Sequence, residues 1–137
     1  MSFSQMFLLY FITLAVFAVL DVLWVWLISR RLYKSYHEDL LRAKFSIIPA
    51  VIFYLAFTVG MMVFVIVPAF NRGPDSLGFA MGTGVLFGLF TYGTHALCNL
   101  AVIRDWSLLV ALIDIFEGGL ISGIACTLAF YLSQIIT

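Results

Sequence analysis

Charge is what this chain has least of. Only 10% of its 137 residues are Asp, Glu, Lys or Arg, and 64% are hydrophobic. A soluble domain averages about 25% charged and about 45–50% apolar residues. No soluble core could bury this much apolar surface, so the solvent of the fold is a bilayer. The 7 basic and 7 acidic residues cancel to a formal net charge of zero, which argues against nucleic-acid binding. Cysteine is nearly absent. Cys98 and Cys126 fall on different spans at depths that differ by roughly 20 Å, too far apart for a disulfide, and read as packed thiols. No lysine lies within a span, which excludes a retinal-type Schiff base. No HExxH sequence is present, and Ser122 has no neighbours at the spacing of a serine-type triad. The first stretch lacks a basic start, and Asp21 and Trp24 stand where a cleavage site would need small residues. It therefore reads as a retained helix rather than a signal peptide.

What the chain does have is four long apolar stretches, at 1–28, 45–70, 76–103 and 106–137. Each exceeds the roughly 20 residues needed to span a bilayer. The spacing predicts helices over about 6–28, 45–70, 77–103 and 107–136 in one domain covering 1–137. The expected fold class is all-α: a polytopic membrane protein, an antiparallel bundle of four transmembrane helices. Pro49 lies in the first turns of helix two, Pro68 is expected to help end it, and Asn71–Asp75 is a breaker cluster.

Between the first two spans lies a basic loop with Arg30, Arg31, Lys34, Arg42 and Lys44. Its apolar residues Leu32, Tyr36 and Leu40 recur every four, and Lys34–Glu38 and Glu38–Arg42 are i,i+4 charge pairs. This predicts a short cytoplasmic interfacial helix. Arg104 lies on the same side and only Arg72 on the other, so the positive-inside rule puts both termini outside a bacterial inner membrane. In the third span Gly78, Gly82, Gly84 and Gly88 form small-xxx-small pairs. They serve either packing within the bundle or a homodimer through helix three. Gly118, Gly119 and Gly123 offer a similar surface on helix four.

The polar residues inside the spans are few and converge. Asp21, His95, Asn99, Asp114 and Glu117 all fall in the same half of the membrane when the spans alternate in direction. Asp21 and Asp114 lie roughly 10 Å from the inner end of their helices and Glu117 roughly 15 Å. His95 and Asn99 are i,i+4, and Asp114 and Glu117 are i,i+3, so each pair shares a helical face. Tyr92 and Trp24 lie near them, and Thr91, Thr94, Tyr54 and Thr58 can add hydroxyls. Ionisable groups in hydrocarbon are costly and mark functional sites. The bland reading is that they only hold helices together, at about 0.6 kcal/mol per interhelical hydrogen bond. Five such groups on three helices at one depth favour a polar pocket lined by helices one, three and four and closed by helix two. Three clustered carboxyls cannot all be charged there, which suits proton-coupled transport or acid–base chemistry. His95, Asp114 and Glu117 could together make a metal set, although His37, assigned to the basic loop, supplies no second imidazole. No cofactor can be assigned.

Three motifs carry a family resemblance. They are Asp21–Val22–Leu23–Trp24; Thr91–Tyr92–Gly93–Thr94 running on to Asn99; and Asp105–Trp106 followed by Asp114–Ile115 and Gly118. On these the chain resembles a bacterial family of small four-helix membrane proteins catalogued as a domain of unknown function. It departs from that family's pattern at His95, where tyrosine is expected, at Ala96, where aspartate is expected, and at Glu117, where tryptophan is expected. The resemblance implies the fold and no activity.

The leading expectation is binding or translocation of a small ligand coupled to protonation of Asp21, Asp114 and Glu117. His95 and Asn99 would orient the ligand, and Trp24 and Tyr92 would wall it. The alternatives are a membrane-embedded enzyme acting on a lipid or isoprenoid, with Asp114 or Glu117 as acid and His95 as base, and an accessory subunit of another membrane protein.

Overall fold

The computed structural model describes residues 1–41 and 46–137. Arg42, Lys44 and Phe45, and with them the Glu38–Arg42 pair and the first residue expected of helix two, lie outside the described residues. Among the described residues, four helices are long and apolar enough to cross a membrane: α1 (Phe3–Leu40), α2 (Ile47–Arg72), α3 (Leu77–Val102) and α4 (Leu108–Ile136). No strand occurs among the described residues. The protein is a helical membrane bundle.

Local chemistry sets the helix ends. Ser2 and Gln5 form a reciprocal capping box, with Gln5 N–H donating to Ser2 Oγ at 3.2 Å and Ser2 N–H to Gln5 Oε1 at 2.9 Å. Ser107 caps α4 by accepting from Val110 N–H at 3.2 Å. α2 stops at Gly73, whose φ of 109° is open to glycine and strained for other residues.

Two expectations about helix continuity are corrected. α1 does not end near Ile28. It is α-helical to Trp24, passes through a π turn at Val25–Ser29, resumes over Arg30–His37 and finishes in a 3₁₀ turn at Glu38–Leu40. The onset of charge at Arg30 marks where apolar composition stops, but Arg and Lys are good helix formers and propagate the helix. The segment expected to be a separate interfacial helix is thus the continuation of α1. Likewise Pro68 does not end α2. It follows a π turn at Met62–Ile66 and sits in the first turn of the α segment Val67–Arg72. There the altered carbonyl register leaves room for a residue without an N–H.

Contacts between neighbours run antiparallel throughout. Along α1 and α4, Gln5 Nε2 donates to the Ile136 carbonyl and Ser107 N–H donates to His37. Along α3 and α4, Gly84 meets Cys126, Gly88 meets Gly118, and Gly93 meets Ile115. Along α2 and α3, Phe57 packs on Tyr92, Phe64 on Phe87, and Ala69 clusters with Ala80.

In lipid the helices gain little by hiding apolar surface from one another, so close packing must hold them. Large apolar side chains accordingly face outward, Phe90 at 69% and Val102 at 83% exposure. The closest packing is between α3 and α4. A Cβ placed on Gly88 would lie 1.9 Å from the Gly118 carbonyl oxygen, and one on Gly84 would lie 2.8 Å from Cys126 Cβ. Gly84 and Gly88 are therefore occupied within the chain. Only Gly78 and Gly82 of the expected dimer face have open space around them. In the half of the bundle that holds the termini, Leu9, Met61, Val65, Ile66 and Ala129 form an apolar core, and Phe130 packs with Ala69 and Ala80 in a second cluster. Both cysteines are free, Cys126 buried and Cys98 exposed.

Candidate functional site

The opposite half of the bundle is hollow. All four helices line a cavity of about 520 Å³, within the range of small-molecule sites. α1 supplies Asp21, Val25, Ser29 and Tyr33 at strict four-residue spacing. In a regular α-helix that spacing drifts by about 120° over three steps. The extra residue of the π turn at Val25–Ser29 takes up most of that drift and keeps the four side chains on one face. α2 adds the apolar side with Phe53 and Phe57, α3 adds Tyr92 and His95, and α4 adds Asp114 and Glu117.

Each acid has a distinct environment. Asp21 is 5% exposed and its two oxygens are held by two other helices. Tyr54 Oη donates to Oδ2 at 2.7 Å, and Tyr92 Oη donates to Oδ1 at 3.0 Å. Asp114 is buried and Tyr33 Oη donates to its Oδ2. Glu117 is 4% exposed, lines the same cavity as Asp21, and its Oε2 is buried without a protein partner.

Of the residues singled out in the sequence, Asp21, Tyr92, His95, Asp114 and Glu117 are brought together around the cavity. His95 is exposed at the rim, and its Nε2 is 3.3 Å from Asn99 Nδ2. Asn99 serves His95 and does not line the cavity. Trp24 turns away: its ring packs 6.2 Å from Phe116 and its Nε1–H is buried without a partner. The hydroxyls of Thr58, Thr91 and Thr94 donate to carbonyls of their own helices. Of the suggested hydroxyl donors, only Tyr54 reaches an acid. Among the described residues no group of three or more His, Cys, Asp and Glu side chains is placed to hold a metal ion.

Sequence reasoning missed Tyr33 and His37. Tyr33 lies one four-residue step beyond Ser29, and continuing the spacing from Asp21 past the onset of charge would have found it. His37 is not a loop residue. It is 4% exposed, stacks on Trp106 at 3.9 Å and 9°, and accepts from Ser107 N–H at 3.2 Å. Tyr33 packs edge-on against both rings. The aromatic cluster anchors the end of α1 to the start of α4 and so fixes the Tyr33 hydroxyl over Asp114.

The family model DUF2177, described as a predicted membrane protein, matches residues 6–131. The chain belongs to the DUF2177 family. No curated protein and no solved structure matches it. In this DUF2177 protein the three acids thus sit in three settings: Asp21 saturated by phenols, Asp114 held by one, and Glu117 with an oxygen to spare. Of the three positions that depart from the expected pattern, Ala96 and Glu117 are buried and His95 is exposed at the rim.

Proposed function

We propose that this DUF2177 protein binds a small ligand carrying a protonated amine, or an equivalent hydrogen-bond-donating cationic group, in the acid-lined cavity. The observation that carries the reading is the buried, unpartnered Oε2 of Glu117, in the cavity it lines with Asp21. An acceptor in that setting is costly unless a proton, a solvent molecule or a ligand donor completes it. The faces of Phe53, Phe57 and Tyr92 suit a cation, and the volume suits a compact molecule. Binding of a cation at the Asp21–Glu117 pair displaces the proton that otherwise neutralises it, which couples occupancy to protonation. With the basic residues of α1 on the cytoplasmic side of a bacterial inner membrane, the cavity faces the cytoplasmic leaflet. Translocation to the other side then requires opening the apolar core around Leu9, Met61 and Ile66, as a homodimer in which helices rearrange would allow.

The test is ligand-induced thermal stabilisation of the purified full chain with a panel of small primary and secondary amines. Saturation at 100 times Kd adds about 2.7 kcal/mol to stability. Glu117→Gln retains shape but removes the charge. It should abolish the stabilisation while leaving the helical spectrum unchanged. A variant that responds like the wild type would sink the proposal. Binding should also acidify a weakly buffered solution, and a silent pH indicator would remove the proton-exchange half of the reading.

A further inference from the structure

A second hollow, of about 260 Å³, lies on a different face of α1 and is lined by Trp26, Leu27, Arg30, Arg31 and Lys34. The spacing explains why these five meet: Trp26, Arg30 and Lys34 are successive i,i+4 neighbours, and so are Leu27 and Arg31. The lining holds three cations and no carboxylate. The acids of the same segment, Glu38 and Asp39, lie beyond it in the 3₁₀ turn. All five lining residues belong to α1, so no other described helix covers the hollow.

Its level in the membrane is set by composition. Val22–Ile28 is wholly apolar and most of it faces outward, with Trp26 at 64% and Leu27 at 52% exposure. Charge begins with Arg30 and Arg31. Tryptophan favours the headgroup level, and arginine and lysine extend from a helix end toward the interface. The hollow therefore straddles the boundary between acyl chains and headgroups.

From these observations we infer that this face of α1 is a binding site for a phospholipid with a net negative headgroup. The acyl chain lies along Trp26 and Leu27. The phosphate is held by the two guanidinium forks, whose planar donors match phosphate oxygens, and Lys34 adds a point charge. A zwitterionic headgroup would present its own cation to the same three residues and lose that advantage. The site uses none of the acids on which the amine reading rests, and it shares only Arg30 with the cavity. Arg30 lines both hollows, so an occupied lipid site would set the position of the arginine at the cavity mouth.

The full chain would be freed of endogenous lipid in detergent. It would then be titrated with phosphatidylglycerol, phosphatidylcholine and inorganic phosphate, with bound mass read by native mass spectrometry. Phosphatidylglycerol should bind preferentially, and Arg31→Gln with Lys34→Gln should weaken it by roughly thirtyfold. Arg30 is left intact to preserve the cavity. Arg104→Gln removes an exposed charge elsewhere and should have little effect. Equal binding of the two lipids, or an unaffected double variant, overturns the inference. An equal loss in Arg104→Gln would mean diffuse attraction rather than a built site. Binding of inorganic phosphate as tight as that of the lipid would assign the cations to a free anion.

Discussion

Tyr54 Oη donates to Asp21 Oδ2 at 2.7 Å across the α1–α2 boundary. The bond satisfies an acid that lies inside an apolar span, and it ties α2 to the rest of the cavity wall. Tyr54→Phe should therefore destabilise the bundle modestly, by about 0.6 kcal/mol, the average for interhelical hydrogen bonds in membranes, and by no more than about 1.7 kcal/mol, the largest of them. Asp21→Ala removes the acceptor of two phenols at once and should cost more than Tyr54→Phe. Thermal denaturation in one detergent ranks the two, and the reverse order would contradict the geometry.

Gly88→Ala should be severe. The added Cβ would meet a backbone carbonyl 1.9 Å away, which cannot move aside like a flexible side chain. Overpacking typically costs about 1–3 kcal/mol, and this contact should lie at or above the top of that range. Gly82→Ala meets nothing within 4 Å and should leave monomer stability within about 1 kcal/mol of the wild type. Size-exclusion chromatography with light scattering checks both variants. A change of oligomeric state in Gly82→Ala would identify the open part of α3 as a contact between copies.

His37→Ala should loosen the junction of α1 and α4 without unfolding the bundle. It removes the stack on Trp106 and the acceptor of the Ser107 N–H. Faster amide hydrogen exchange is expected over residues 107–110, with residues 84–93 of α3 unchanged. Uniform protection in both segments would show that the stack holds nothing in place.

Tyr33→Phe tests whether the end of α1 serves the cavity. Asp114 loses its phenol donor, while the edge-on packing of the ring against His37 and Trp106 remains. Stability should change by less than about 1 kcal/mol, and amine-induced stabilisation should fall. Retention of the full response would place Tyr33 outside the binding chemistry.

The helix count and the approximate ends of all but the first span were legible in the sequence, because apolar length is a local property that a bilayer reads directly. The gathering of Asp21, Tyr92, Asp114 and Glu117 was legible too, since alternating spans fix relative depth by counting. What counting does not fix is rotation. Trp24 is only three residues from Asp21, yet it faces Phe116 rather than the cavity. The π turn at Val25–Ser29 has no compositional mark, so the continuation of α1 and the inward turn of Tyr33 stayed hidden. His37 was assigned to a loop because charge surrounds it, although its packing is decided by Trp106 on a distant part of the chain. The threonines show a further limit. A hydroxyl in a span has its own helix carbonyls within reach and usually takes them.

The glycine seam between α3 and α4 has a mechanical consequence. Where Gly88 meets the Gly118 carbonyl no side chain lies between the two backbones, and along the rest of the seam only short contacts to Cys126, Leu89 and Val85 do, so the pair should move as one plate. Any swelling or closing of the cavity must then be taken up by α1 and α2, which are joined to that plate by phenol hydroxyls, aromatic faces and two π turns rather than by interlocked backbones. Movement is therefore expected in the half that carries Asp21, Tyr33 and Tyr54, against the half that carries Asp114 and Glu117.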